Sequence, residues 1–141
     1  MTARKQDQLF EAVRALAHTS RLLEKECEQA GLTMGHYRLL DWIRHEPARA
    51  GELAEKAAIS RPSLTTAMDG LEARGLIHRD RVPGDRRGVS LEVTDDGIKA
   101  LDAVESAFAA RVGDYLSNGE LKTFVDGVRG LREGIRRART K

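Results

Sequence analysis

Residues 60–94 read SRPSLTTAMDGLEARGLIHRDRVPGDRRGVSLEVT, and a change of period inside this stretch decides the fold. Its first half is helical. Ser60 is a good N-cap, Pro62 is tolerated in a first turn, and Leu64, Met68 and Leu71 recur at spacings of four and three. The helix runs to Arg74, where Gly75 supplies the C-cap. The second half alternates. His78 to Val82 and Val89 to Thr94 flank the loop Pro83-Gly84-Asp85-Arg86-Arg87-Gly88. In the later run Val89, Leu91 and Val93 share one face, with Ser90, Glu92 and Thr94 on the other.

Upstream, residues from about Gly51 to Ala57 carry Leu53, Ala54 and Ala57 and predict a short helix before Ser60. Two helices joined by so short a turn form a helix-turn-helix, and the hairpin after them adds a wing. Further upstream, Thr33 caps a helix that reaches about Glu46 and is stopped by Pro47. Its Tyr37, Leu39, Leu40, Trp42 and Ile43 occupy two faces, which predicts a central position. Residues from about 6 to 29 predict a long helix with a heptad-like stripe of Leu9, Val13, Leu16, Ser20, Leu23 and Cys27, ended by Gly31.

Downstream, Thr94 caps a helix with Asp95 and Asp96 at its positive end and a stripe of Ile98, Leu101, Val104, Phe108, Val112 and Tyr115. After Ser117-Asn118-Gly119 a last helix carries Leu121, Phe124, Val128, Leu131 and Ile135. Apolar stripes near both termini exceed what one small domain buries, and a symmetric homodimer is the simplest remedy. The expected architecture is mainly α with a small β-hairpin wing. A single domain spans 1–141, with dimerisation helices in 1–31 and 118–141, a winged helix-turn-helix lobe in 50–94 and a connecting helix in 95–117.

The chain has 141 residues, enough for one real core, with 40% hydrophobic and 33% charged residues. Its apolar runs are far shorter than the ~20 residues that span a bilayer, and the charged N-terminus offers no apolar signal region. A soluble cytoplasmic protein is expected. Cys27 stands alone, and His18, His36, His45 and His78 show neither HxxxH nor HExxH spacing, so no disulfide framework, metal site or cofactor is expected. No nucleophile–base pair or Gly-rich phosphate loop points to an enzyme.

The net charge of +2 conceals segregation. Residues 74–90 hold five arginines against two aspartates, and residues 129–141 six basic residues against one acid. Residues 91–128 hold three basic residues against eight acidic. Basic segments set apart in this way suit an anionic partner. With Leu64, Met68 and Leu71 turned inward, the helix from Ser60 presents Arg61, Pro62, Thr65, Thr66 and Asp69 outward, with Ser63 at the edge. A helix N-terminus attracts phosphate, an arginine reaches phosphate or guanine, and threonine methyls touch thymine. Arg86 and Arg87 at the loop tip, with Arg79 and Arg81 on the strand before it, suit a narrow minor groove. Asp85 reads as a support for the loop or for Arg87.

Residues 52–97, ELAEKAAISRPSLTTAMDGLEARGLIHRDRVPGDRRGVSLEVTDDG, resemble the core of the MarR family of transcriptional regulators. The resemblance is carried by Asp85-x-Arg87, by Leu91-x-Val93-Thr94-x-x-Gly97, by the exit LEARGLI at Leu71 to Ile77 and by Leu32-Thr33. One departure is Ala50-Gly51, where a Ser or Thr cap would open the helix. The resemblance implies an obligate dimer with interleaved first and last helices. It also implies recognition helices in successive major grooves of a pseudo-palindromic double-stranded DNA operator. Arg87 then takes the minor-groove role and Asp85 its supporting one.

The resemblance further implies a repressor released by a small aromatic or phenolic effector, for which His18, His36 and Tyr37 are the candidate residues. Two alternatives stay open: a sequence-neutral architectural DNA-binding protein, and a redox-responsive regulator using Cys27. The position of Cys27 on the heptad stripe favours a buried structural thiol.

Overall fold

The computed structural model describes residues 1–45, 50–57, 60–81 and 88–139. The element order is α1 (Ala3–Gln29), α2 (Met34–His45), α3 (Ala50–Ala57), α4 (Arg61–Ala73), β1 (Ile77–Arg81), β2 (Val89–Val93), α5 (Asp95–Tyr115) and α6 (Leu121–Arg139). The chain divides into two compact units, Met1–Ser106 and Ala107–Lys141. No described helix is long and apolar enough to cross a membrane.

The first unit is a winged helix-turn-helix with two further helices ahead of it. Its core gathers Leu39, Leu40 and Ile43 of α2, Leu53 of α3, Leu64, Met68 and Leu71 of α4, Leu91 of β2, and Leu101 and Val104 of α5. Each fully buried aliphatic side chain contributes about 1.5–3 kcal/mol, so this cluster is the main source of stability. As its two apolar faces require, α2 packs against α1, α4 and β2.

Helix ends follow the local chemistry. The Thr33 Oγ1 accepts the His36 amide at 3.0 Å, and the Ser60 Oγ accepts the Ser63 amide at 3.2 Å. α1 closes with the Leu32 amide on the Cys27 carbonyl and the Gly31 amide on the Glu28 carbonyl. α4 repeats that cap with Leu76 on Leu71 and Gly75 on Glu72. Gly31 and Gly75 have φ of 73° and 70°, the left-handed backbone this closure needs. An Arg74 guanidinium nitrogen (Nη1) donates to the Gly31 carbonyl at 2.6 Å, which joins the two caps.

β1 and β2 pair antiparallel with Ile77 opposite Val93, Arg79 opposite Leu91 and Arg81 opposite Val89. α1 starts at Ala3, earlier than the apolar stripe indicates, because its first turns are polar and carry no periodic signal. β1 opens one residue earlier than expected, at Ile77, whose side chain is 2% exposed, and β2 starts at Val89 as expected and ends one residue earlier, at Val93. The stop at Pro47 and the turn at Ala58-Ile59 lie outside the described residues.

The second unit consists of the end of α5 and α6. Ser117 donates its amide and hydroxyl to the Glu120 carboxylate at 2.9 and 2.8 Å, a capping arrangement before α6 that holds this carboxyl below its usual range. α6 buries none of its residues. Leu121, Phe124, Val125, Val128, Leu131 and Ile135 are all exposed along it, as Leu9, Phe10, Val13 and Leu16 are along α1 of the first unit.

Candidate nucleic-acid interface

α4 has a sharp inside and outside. Leu64, Met68 and Leu71 are buried, whereas Arg61, Pro62, Ser63, Thr65 and Thr66 are exposed. Five of the sequence-predicted contact residues are thereby gathered on the first two turns of one helix. Its N-terminal amides add positive potential on the same side.

The hydroxyls there have distinct hydrogen-bonding states. The Ser60 hydroxyl donates to the Ser63 Oγ at 2.9 Å, which leaves the Ser63 proton for an outside acceptor such as a phosphate oxygen. Thr65 donates to the Arg61 carbonyl at 2.9 Å and Thr66 to the Pro62 carbonyl at 3.0 Å. With their protons committed to the helix backbone, these threonines offer a methyl group and an oxygen that accepts. Such a surface suits a thymine methyl or a base amino group.

The wing is placed by its base. The Thr94 amide donates to the Leu76 carbonyl at 3.1 Å, and its hydroxyl donates to the Gly75 carbonyl at 2.5 Å. The same hydroxyl oxygen accepts the Gly97 amide at 3.1 Å, capping α5. β2 therefore ends where α4 ends. Arg86, Arg87 and Asp85 lie outside the described residues, as does the side chain of Arg81.

Arg79 is placed differently from the residues of α4. Its guanidinium faces α4, on Glu72 and Asp69, and its side chain is 26% exposed. Those hydrogen bonds raise the arginine above its usual range and lower Glu72 below the usual carboxylate range. One signal in the sequence could have indicated this: Arg79 is in phase with Ile77, the inward-facing residue of β1, while His78 and Asp80 alternate outward.

Of the three candidate effector residues, His36 alone lines a described depression. That depression is shallow and open to solvent, lined by His36 of α2 and by Pro62, Ser63, Thr66 and Ala67 of α4. The His36 Nδ1 is buried without a hydrogen-bond partner, and burial together with nearby Arg74 lowers its pKa. Tyr37 is half-buried, its hydroxyl 3.5 Å from Glu105, and its pKa is pushed up to about 12 by burial first and then by that carboxylate. His18 is exposed on α1. Cys27 is fully buried, which raises its thiol above the ordinary range.

Comparison with known proteins adds a family. A model of the MarR family matches residues 30–88. A Thauera aromatica protein described as a regulator of the hcr operon is 34% identical over 99 residues, spanning 67% of this chain and 60% of that protein. The HTH-type transcriptional repressor NicR of Pseudomonas putida is 30% identical over 104 residues, spanning 74% of this chain and 65% of that protein. The match thus covers less than two thirds of the length of either relative. The structure of Sco3205, a MarR family regulator of Streptomyces coelicolor in complex with DNA, is 27% identical and superposes with a TM-score of 0.69. That likeness covers 95% of this chain and 89% of Sco3205.

Proposed function

Because the chain belongs to the MarR family, we propose that it is a transcriptional regulator that binds a pseudo-palindromic double-stranded DNA operator in the cytoplasm. The observation that carries this reading is the outward face of α4, where Arg61, Pro62, Ser63, Thr65 and Thr66 stand exposed around a helix N-terminus. α4 lies in the major groove, with Ser63 and Arg61 on phosphate or guanine and the threonines on base edges. Arg86 and Arg87, steadied by Asp85, reach the neighbouring minor groove, with Arg81 behind them. The solved complex of Sco3205 with DNA and the repressor name of NicR support binding and repression respectively.

The protein acts as a homodimer. The exposed stripes on α1 and on α6 are each suited to a second copy, and two recognition helices then meet half-sites about 34 Å apart. A small aromatic or phenolic effector is placed by this reading on the open depression between α2 and α4. An occupant beside His36 would cover Ser63 and Thr66, residues the DNA also needs, so the two ligands exclude one another.

Selection from random duplexes, followed by titration of the recovered and the random duplex at matched salt, tests the reading. Preference for the recovered duplex by ~10³ or more is expected. Equal affinity would favour the architectural alternative instead.

A further inference from the structure

Arg79 bridges β1 and α4. Its Nε donates to one Glu72 carboxylate oxygen at 3.1 Å and its Nη2 to the other at 2.9 Å, a two-pronged pairing. The same Nη2 donates to the Asp69 carboxylate at 2.5 Å. Asp69 and Glu72, three residues apart, project from neighbouring positions on α4. Arg79 itself stands opposite Leu91 on the inward face of the hairpin. One guanidinium thus spans from the middle of β1 to the second half of α4.

We propose that Arg79 is a positioning residue for DNA binding, which fixes the angle between α4 and β1. The proposal rests on the DNA-binding reading above. In that reading α4 and the arginines that follow β1 in sequence engage neighbouring grooves of one duplex, so their contributions combine only if α4 and β1 are held in the right relative geometry beforehand. Two carboxylates next to a DNA-binding face are unfavourable beside a polyanion by charge alone. Their commitment to Arg79 explains their presence there.

The test separates this role from a phosphate contact by sign and by salt dependence. Arg79→Ala, Arg79→Lys, Glu72→Ala and Asp69→Ala are titrated against the duplex recovered by selection, at several salt concentrations. The expected result is a loss of about three- to tenfold for Arg79→Ala and Glu72→Ala, with the slope of log K against log salt unchanged. Arg79→Lys behaves like Arg79→Ala, because lysine keeps the charge but not the fork. The double variant Arg79→Ala, Glu72→Ala is no weaker than the weaker single one.

The proposal is overturned if Arg79→Ala flattens the slope by about one phosphate contact while Glu72→Ala leaves binding equal or tighter. Amide hydrogen exchange without DNA provides a second measurement, with faster exchange in β1 and β2 expected for both alanine variants. Unchanged exchange also overturns the proposal, since the clamp would then hold nothing. If the unsubstituted chain prefers no duplex, the DNA-binding reading fails and the proposal with it, whatever the exchange shows. If Arg79→Ala does not fold, Arg79→Lys and Glu72→Ala carry the comparison.

Discussion

The carbonyl oxygen of Leu76 lies 2.2 Å from the point where a Cβ on Gly97 would stand. Leu76 leaves α4 and Gly97 sits in the first turn of α5, so the start of α5 presses onto the exit of α4. A methyl group here meets backbone, which cannot swing aside as a side chain can. Gly97→Ala is therefore expected to destabilise the fold by about 1–3 kcal/mol, seen as a lowered melting midpoint. Unchanged melting would show that the α4–α5 junction yields freely.

Tyr37 gives the fold an alkaline limit. Its folded pKa of about 12 lies above the ordinary value of 10.0, because burial and then Glu105 disfavour the phenolate. The folded state thus holds the proton more tightly. The resulting stability is complete below about pH 10 and is lost as pH rises from 10 toward 12. Denaturant titrations across that range should show falling stability for the unsubstituted chain and a shallower fall for Tyr37→Phe. Parallel slopes would remove Tyr37 as the cause.

Cys27 should be inert in the folded protein. A fully buried thiol whose pKa is raised by burial has little thiolate to react. Thiol reagents should label it only after unfolding, and peroxide should leave duplex affinity unchanged. Rapid labelling of the folded chain would restore the redox alternative.

Arg87→Ala should weaken operator binding by about 1–3 kcal/mol while leaving the melting midpoint nearly unchanged. Thr66→Ala should act differently, reducing preference for the recovered duplex more than it reduces affinity for random sequence. Fluorescence anisotropy with both duplexes reads the two effects together. Equal affinity of Arg87→Ala and the unsubstituted chain would remove the wing from the proposed interface.

Leu131→Asp places a carboxylate in the exposed stripe of α6, where Leu131 is 50% exposed. Light scattering should show the variant as a monomer at concentrations where the unsubstituted chain is a dimer. An intact dimer would exclude this part of α6 from the interface.

Much of this was legible from periodicity. Leu64, Met68 and Leu71 face inward as their spacing demands, and Thr33, Ser60 and Thr94 each accept the amide expected of a cap. These signals are local, so a one-dimensional reading captures them. From sequence Arg79 reads as a charge available to DNA, because its partners lie seven and ten residues back, across the turn at Gly75. The threonine hydroxyls posed a related difficulty. Their residue type indicates hydrogen bonding, but only the rotamer shows whether the proton goes outward or back to the helix. The depression beside His36 is a product of helix packing, and no spacing announces it.

The joined caps at Gly31 and Arg74 have a mechanical consequence. α1, with 27 residues, is a rod about 40 Å long, and the cap that follows it is fastened through one carbonyl to the cap that follows α4. A tilt of roughly 3° about that fastening would sweep the far end of such a rod by about 2 Å. The exposed apolar stripe of α1 is thereby tied to the end of α4 opposite the first two turns proposed to read DNA.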